Sequence, residues 1–117
     1  MGSSNLTGPY RLTFDAINVA VRREKPGVFA LGSLDSEGRF CLSKVGRSDA
    51  NVKEALRMFI ASEPLFKFSY ETGAKQAFLR ECELFHKFRP QGNMLHPSRP
   101  AGTTWTCPHC QADHRGR

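Results

Sequence analysis

Glu81 lies within the apolar stripe of a helix predicted over Ala74–Phe88, read A-K-Q-A-F-L-R-E-C-E-L-F-H-K-F. Ala74, Ala77, Phe78, Leu84, Phe85 and Phe88 recur there at helical spacing. A carboxylate turned toward a core or a cleft has to be paired, protonated or metal-bound, because burying it bare is expensive. Glu81 is therefore either an acid open to a cleft or the partner of Arg57, Arg47 or Lys44 at the edge of the core. Cys82 and His86, four residues apart, share a different face of the same helix. One helix thus offers a candidate catalytic acid and half of a candidate metal site.

The other half is Cys107-Pro108-His109-Cys110, a C-x-x-C knuckle. Two thiolates at that spacing chelate one Zn²⁺ from a tight turn, and a structural site wants about four ligands. Cys82 and His86 supply a C-x-x-x-H pair; His96 and His114 compete for the same places, and His109, inside the knuckle, is poorly placed to bend back onto the ion. Zinc with four protein ligands has no open position for chemistry, so its role is structural. C-P-H-C also opens a helix in thioredoxin-like oxidoreductases. The short polar stretch after Cys110 is expected to leave no room for that fold, and zinc is preferred. Two unrelated cysteines in a loose tail are the plain alternative. Cys41, in a predicted strand, reads as a small core residue.

These groups need elements to position them. Around Asp15 the chain reads as a short helix capped by that residue and containing Ile17, Ala20 and Val21, with a strand as the alternative. Lys25-Pro26-Gly27 breaks it. A short buried strand over 28–31, a turn over 33–38 and a partner strand over 39–45 form a hairpin. Gly46-Arg47-Ser48-Asp49 reads as a loop into a helix over 51–61, with Val52, Leu56, Phe59 and Ile60 on its apolar face. Leu65–Tyr70 alternates as a third strand, and Thr72-Gly73 leads into the Glu81 helix. After Pro90 the chain turns rich in Pro, Gly, Thr and His and poor in aliphatics, so it needs something other than a core to hold it. The expected class is α+β: a small three-stranded antiparallel sheet flanked by helices in residues 1–93, and a zinc-stapled extension in 94–117 packed on it.

The 117 residues suit one domain, and 39% hydrophobic content with nine Phe suits a globular core. A net charge of +6 and a pI near 9.5 suit a polyanionic partner, nucleic acid above all, although the charge is spread rather than clustered. M-G-S-S-N-L-T-G lacks the charged and apolar regions of a signal peptide. No apolar run approaches the ~20 residues that span a bilayer. A cytoplasmic protein with reduced or metal-bound cysteines is expected, and no membrane partner.

The order strand, strand, helix, strand, helix over roughly residues 26–93 resembles the GIY-YIG nuclease superfamily. Gly27-Val28-Phe29 looks like the first motif and Lys44-Val45-Gly46 like the second; Phe66-Lys67-Phe68, the Glu81 helix and Pro90-Gln91-Gly92-Asn93 follow the pattern. The tail from His96-Pro97 through Trp105 to the knuckle is similar to a bacterial subgroup of such proteins. The resemblance implies that Glu81 holds Mg²⁺ or Mn²⁺ at a scissile phosphate, that Asn93 supports the site, and that Gly27 and Gly46 let the backbone turn beside it. Phe29 and Lys44 stand where the family's two tyrosines would be, and Ala55 at the place of its helix arginine, with Arg57 two residues on. Arg47, Arg57 and Lys44 are then the candidates to neutralise phosphate charge, and Tyr70 a conceivable replacement donor.

Three readings follow: a metal-dependent endonuclease on DNA, a catalytically inactive nucleic-acid-binding relative, and a protein-interaction module presenting Trp105 and the His-Pro loop. The sequence leaves the oligomeric state open.

Overall fold

A computed structural model describes residues 5–93 and 95–110. The elements are β1 (Thr7–Arg11), α1 (Phe14–Ala20), β2 (Gly27–Leu34), β3 (Phe40–Ser48), α2 (Val52–Arg57), β4 (Leu65–Tyr70) and α3 (Ala74–Phe88). The fold is α+β, but the sheet has four strands rather than three, in the order β1-β4-β2-β3 with every neighbouring pair antiparallel.

β2 is central and buried along its first six residues, which explains its unbroken apolar run G-V-F-A-L-G. Its side chains alternate between two layers. Phe29 and Leu31 pack with Phe66 and Phe68 against Ile17 and Val21 at α1 and Val52 and Leu56 of α2. Val28 and Ala30 pack with Val45 against Ala77 and Leu84 of α3. Helices therefore cover both faces of the sheet.

The added strand is β1, in a stretch whose mixed polarity reads poorly as a strand. It pairs irregularly with β4, and Tyr10 leans on Phe66 and Phe68 with ring centroids 5.5 and 6.2 Å away. Pro9 is tolerated because β1 is an edge strand. β3 runs on through Arg47, so Gly46 and Arg47 are strand residues and not loop residues. α2 stops at Arg57, short of the expected Ala61, which has φ +73°, a value a helix does not hold. Thr13, not Asp15, caps α1 by accepting from the Ala16 amide at 3.1 Å. Asn51 does the same for α2. α3 has the predicted bounds; Arg89 closes it in the left-handed region and Pro90 stops it. Cys41 is exposed on edge strand β3 rather than in the core. Among the described residues no helix is long and apolar enough to cross a membrane.

Candidate metal centre and cleft

The tail folds back on α3. Cys107 is buried with Phe78 and Cys82, and the partly buried Trp105 packs beside them. Here His86, His96, Cys107 and Cys110 place four ligand atoms within 4.8 Å of one another. The Cys110 Sγ lies 3.2 Å from His86 Nε2 and 2.9 Å from His96 Nε2. With ligands ~2.0–2.3 Å from a zinc ion, the edges of a tetrahedron are about 3.3–3.8 Å, so shifts outward at the two short Cys110 contacts and inward across the wider separations fit an ion. His96 Nδ1 lies 2.7 Å from the Pro97 carbonyl. A proton on Nδ1 donated to that oxygen leaves the Nε2 lone pair for a metal, the outer-shell arrangement typical of metal-binding histidines. This His₂Cys₂ cluster can hold a metal ion such as zinc.

Its membership differs from the set led by Cys82 and His86: His96 supplies the fourth donor and Cys82 is not among them. Cys82 is fully buried beside Cys107, and burial pushes its thiol pKa up, with the neighbouring Cys107 sulfur adding to the rise. It is a packed thiol behind the cluster. One helical turn of ~5.4 Å separates it from His86, and whether Cys82 or His96 completes the set depends on where the tail crosses the helix. His109 lies outside the set, its ring 5.8 Å from that of His86. His114 lies outside the described residues.

A second site opens at the β3 edge of the sheet. It is a cleft of about 330 Å³ lined by Phe29, Lys44, Gly46, Arg47, Asp49, Phe59, Glu81, Asn93 and Ser98, with Val45. Of the residues singled out in the sequence, Glu81, Asn93, Arg47, Lys44, Phe29 and Gly46 thus converge. Arg57 does not: it bonds Asn18 at 2.6 Å and lies over the Phe14 ring on the α1–α2 side. Tyr70 is also elsewhere, its phenol oxygen accepting from the Arg22 and Arg23 amides. Gly27 and Gly46 make room rather than turns. A Cβ on Gly46 would sit 2.5 Å from Phe29 Cζ, its cross-strand neighbour, and one on Gly27 would strike the Ser69 carbonyl.

At the base of the cleft Arg47 Nη1 donates to Glu81 Oε1 at 2.7 Å, and Arg47 Nε donates to Asp49 Oδ1 at 2.7 Å. The Arg47 and Glu81 side chains are only 11% and 9% exposed. The guanidinium also lies over the Phe78 ring, 5.2 Å from its centroid. Burial raises the Glu81 pKa above its ordinary value, and the Arg47 guanidinium opposes but does not cancel that rise. Burial by itself would lower Arg47; its two carboxylate partners outweigh it and hold the charge. Glu81 is therefore ion-paired, as one of its two expected fates had it, yet it still lines the cleft. Its Oε2 has no partner among the described residues, and it is not sealed, since the buried side-chain polar atom lacking a partner among them is Arg57 Nε.

Lys44 Nζ bonds the Gly92 carbonyl at 3.3 Å and approaches the Phe59 ring at 5.6 Å. Asp49, Phe59 and Ser98 escape a sequence reading. Asp49 carries a weak signal, two residues from Arg47 as in a strand that puts both on one side; Phe59 reads as core, and Ser98 as tail. The four charged groups, Lys44, Arg47, Asp49 and Glu81, balance formally, so the cleft offers directed donors and acceptors instead of an excess of positive charge. No known protein family, characterised protein or solved structure matches the chain.

Proposed function

We propose that the protein is a nucleic-acid-binding module of GIY-YIG-like type that holds phosphate without hydrolysing it, with a structural zinc ion in the His₂Cys₂ cluster. The observation that carries this reading is the Arg47 guanidinium bound between Glu81 and Asp49 at the base of the cleft. A hydrolase of this kind needs its helix carboxylate for a divalent cation. Here a fixed side-chain cation already neutralises it. Phe29, where a phenol would be needed, offers no hydroxyl. Arg47 Nη2 has no partner among the described residues, and Lys44 keeps donors beyond its single carbonyl contact. Both are groups that grip phosphate oxygens. Phe59 adds an aromatic wall on which a base can stack.

The test is fluorescence anisotropy with short single- and double-stranded DNA and RNA across a salt series. Binding should weaken as salt rises, with a log–log slope near −0.7 to −0.9 per phosphate contacted. Lys44→Ala should lower both the affinity and the slope. Affinity that ignores salt removes the reading.

Metal-dependent cleavage is the second reading, favoured by the open Oε2 of Glu81. Plasmid nicking in Mg²⁺ or Mn²⁺ that disappears in Glu81→Ala would establish it in place of the first; no nicking in either protein disposes of it. For the zinc, three of four donors come from beyond α3, which suits a staple that fixes the tail to the domain. Elemental analysis of purified protein should find one zinc per chain.

A further inference from the structure

The two sites share parts. α3 carries Glu81 to the cleft and His86, little more than one turn later, to the metal cluster. Beyond the helix, Asn93 lines the cleft while bonding the β3 backbone at Val45. His96 is a cluster donor, Pro97 is buried, and Ser98 returns to the cleft wall. A metal ligand therefore stands two residues from a wall residue, with the His96 Nδ1–Pro97 carbonyl contact between them. Residues 95–106 belong to no helix or strand, and so no ladder of backbone bonds holds that wall. Among the described residues it is tied to α3 by the four donors, by the His96–Phe85 ring contact and by the small Phe78–Cys82–Cys107 cluster with Trp105.

We propose that the His₂Cys₂ centre is a metal switch for the cleft: zinc on His86, His96, Cys107 and Cys110 fixes the Ser98 wall of the cleft that Arg47 and Glu81 also line, and its loss releases the wall and weakens ligand binding there. The nature of the ligand rests on the nucleic-acid reading; the coupling rests on the cluster and the wall. Linkage makes the effect reciprocal, so a bound oligonucleotide raises the affinity for zinc, read by equilibrium competition with a chelator, by the same factor by which zinc raises the affinity for the oligonucleotide.

Amide exchange on the zinc-loaded and zinc-stripped full chain tests this, read at Val45 and Gly92, whose N–H groups donate to Asn93 and to the Ser43 carbonyl. Stripping zinc should speed exchange at both, leave Ala30 in β2 protected, and weaken binding of a short labelled oligonucleotide roughly 5–150-fold, the usual span of such coupling. Added zinc should reverse each change. Should stripping unfold the whole chain, His96→Ala takes its place, since it removes only the donor beside the wall; His109→Ala is the control expected to change nothing. Unchanged exchange at Val45 and Gly92 in stripped protein, or in His96→Ala, overturns the proposal. The exchange measurement uses no oligonucleotide, so it decides the coupling even where zinc-loaded protein binds none, the result that removes the nucleic-acid reading instead.

Discussion

Asn93 pairs both arms of its side-chain amide with the backbone of Val45, accepting from its N–H at 2.8 Å and donating to its carbonyl at 2.9 Å. One side chain thus imitates a neighbouring strand on the outer edge of β3, beside the Gly92 amide bonded to the Ser43 carbonyl. The contact covers an edge that would otherwise present unpaired groups, and it fixes where the chain leaves α3.

Asn93→Ala removes both bonds. The loss should be about 1–3 kcal/mol, which at about 4–8 °C per kcal/mol lowers the melting temperature by several degrees. Asn93→Asp should do no better, because a carboxylate accepts from the Val45 amide but repels the carbonyl. Thermal melts of the three proteins decide it; an unaltered midpoint in Asn93→Ala would mean that the edge needs no such partner.

The Arg47–Glu81 pair should behave as a buried one. Arg47→Ala strands a carboxylate that is 9% exposed and should cost about 3–5 kcal/mol, more than Glu81→Gln. Combining the two, Arg47→Ala with Glu81→Gln, should cost less than the two single changes added together. Urea titrations of the four proteins give the coupling, and strict additivity would show that the pair carries none.

Stability should also depend on pH through Glu81. Its pKa in the folded protein lies above the ordinary 4.5, chiefly because of burial. From 4.5 upward to that raised value the folded protein holds more protons at this position than the unfolded chain. The contribution of Glu81 to stability is therefore full below 4.5 and declines as pH climbs through the window. Glu81→Gln lacks this term. Parent minus variant stability should fall across that window, and a difference that rises with pH would place the native pKa on the other side of 4.5.

Gly46→Ala tests the packing under the cleft. The new methyl would lie 2.5 Å from Phe29 Cζ, and Phe29 is itself wedged against Phe59. Overpacking of this kind costs about 1–3 kcal/mol. A combined Gly46→Ala and Phe29→Leu variant should recover part of that, as read by denaturant midpoint.

For the metal, Cys107→Ser and Cys110→Ser should each abolish stoichiometric zinc, His96→Ala should hold it only substoichiometrically through the three donors that remain, and Cys82→Ser should keep it in full. Elemental analysis separates the two sets of ligands: zinc lost from Cys82→Ser and retained in full in His96→Ala would restore Cys82 as the fourth donor. Trp105, packed beside Cys107, gives a fluorescence signal for the same titration.

What the chain determined locally is what periodicity and punctuation encode. α3 and β4 were legible to the residue because each has a regular apolar repeat and clear stops: Gly73 before α3, Arg89-Pro90 after it, and the L-F-K-F-S-Y alternation of β4. The C-x-x-C knuckle, His86 and the central position of Glu81 were legible for the same reason, being short-range patterns of residue type. β1 was not, since its strand character comes from pairing with β4, more than fifty residues on, with Thr7 opposite Phe68. Nor was the extension of β3 through Gly46 and Arg47, whose partners Phe29 and Val28 supply the ladder. Only the tertiary structure chose His96 over Cys82, because four donors converge where the tail crosses α3 and that crossing has no local code. It likewise chose Arg47 over Arg57 and Lys44 as the partner of Glu81: three cations were available by type, and the sheet delivered one of them, through a separation of 34 residues, to within 2.7 Å.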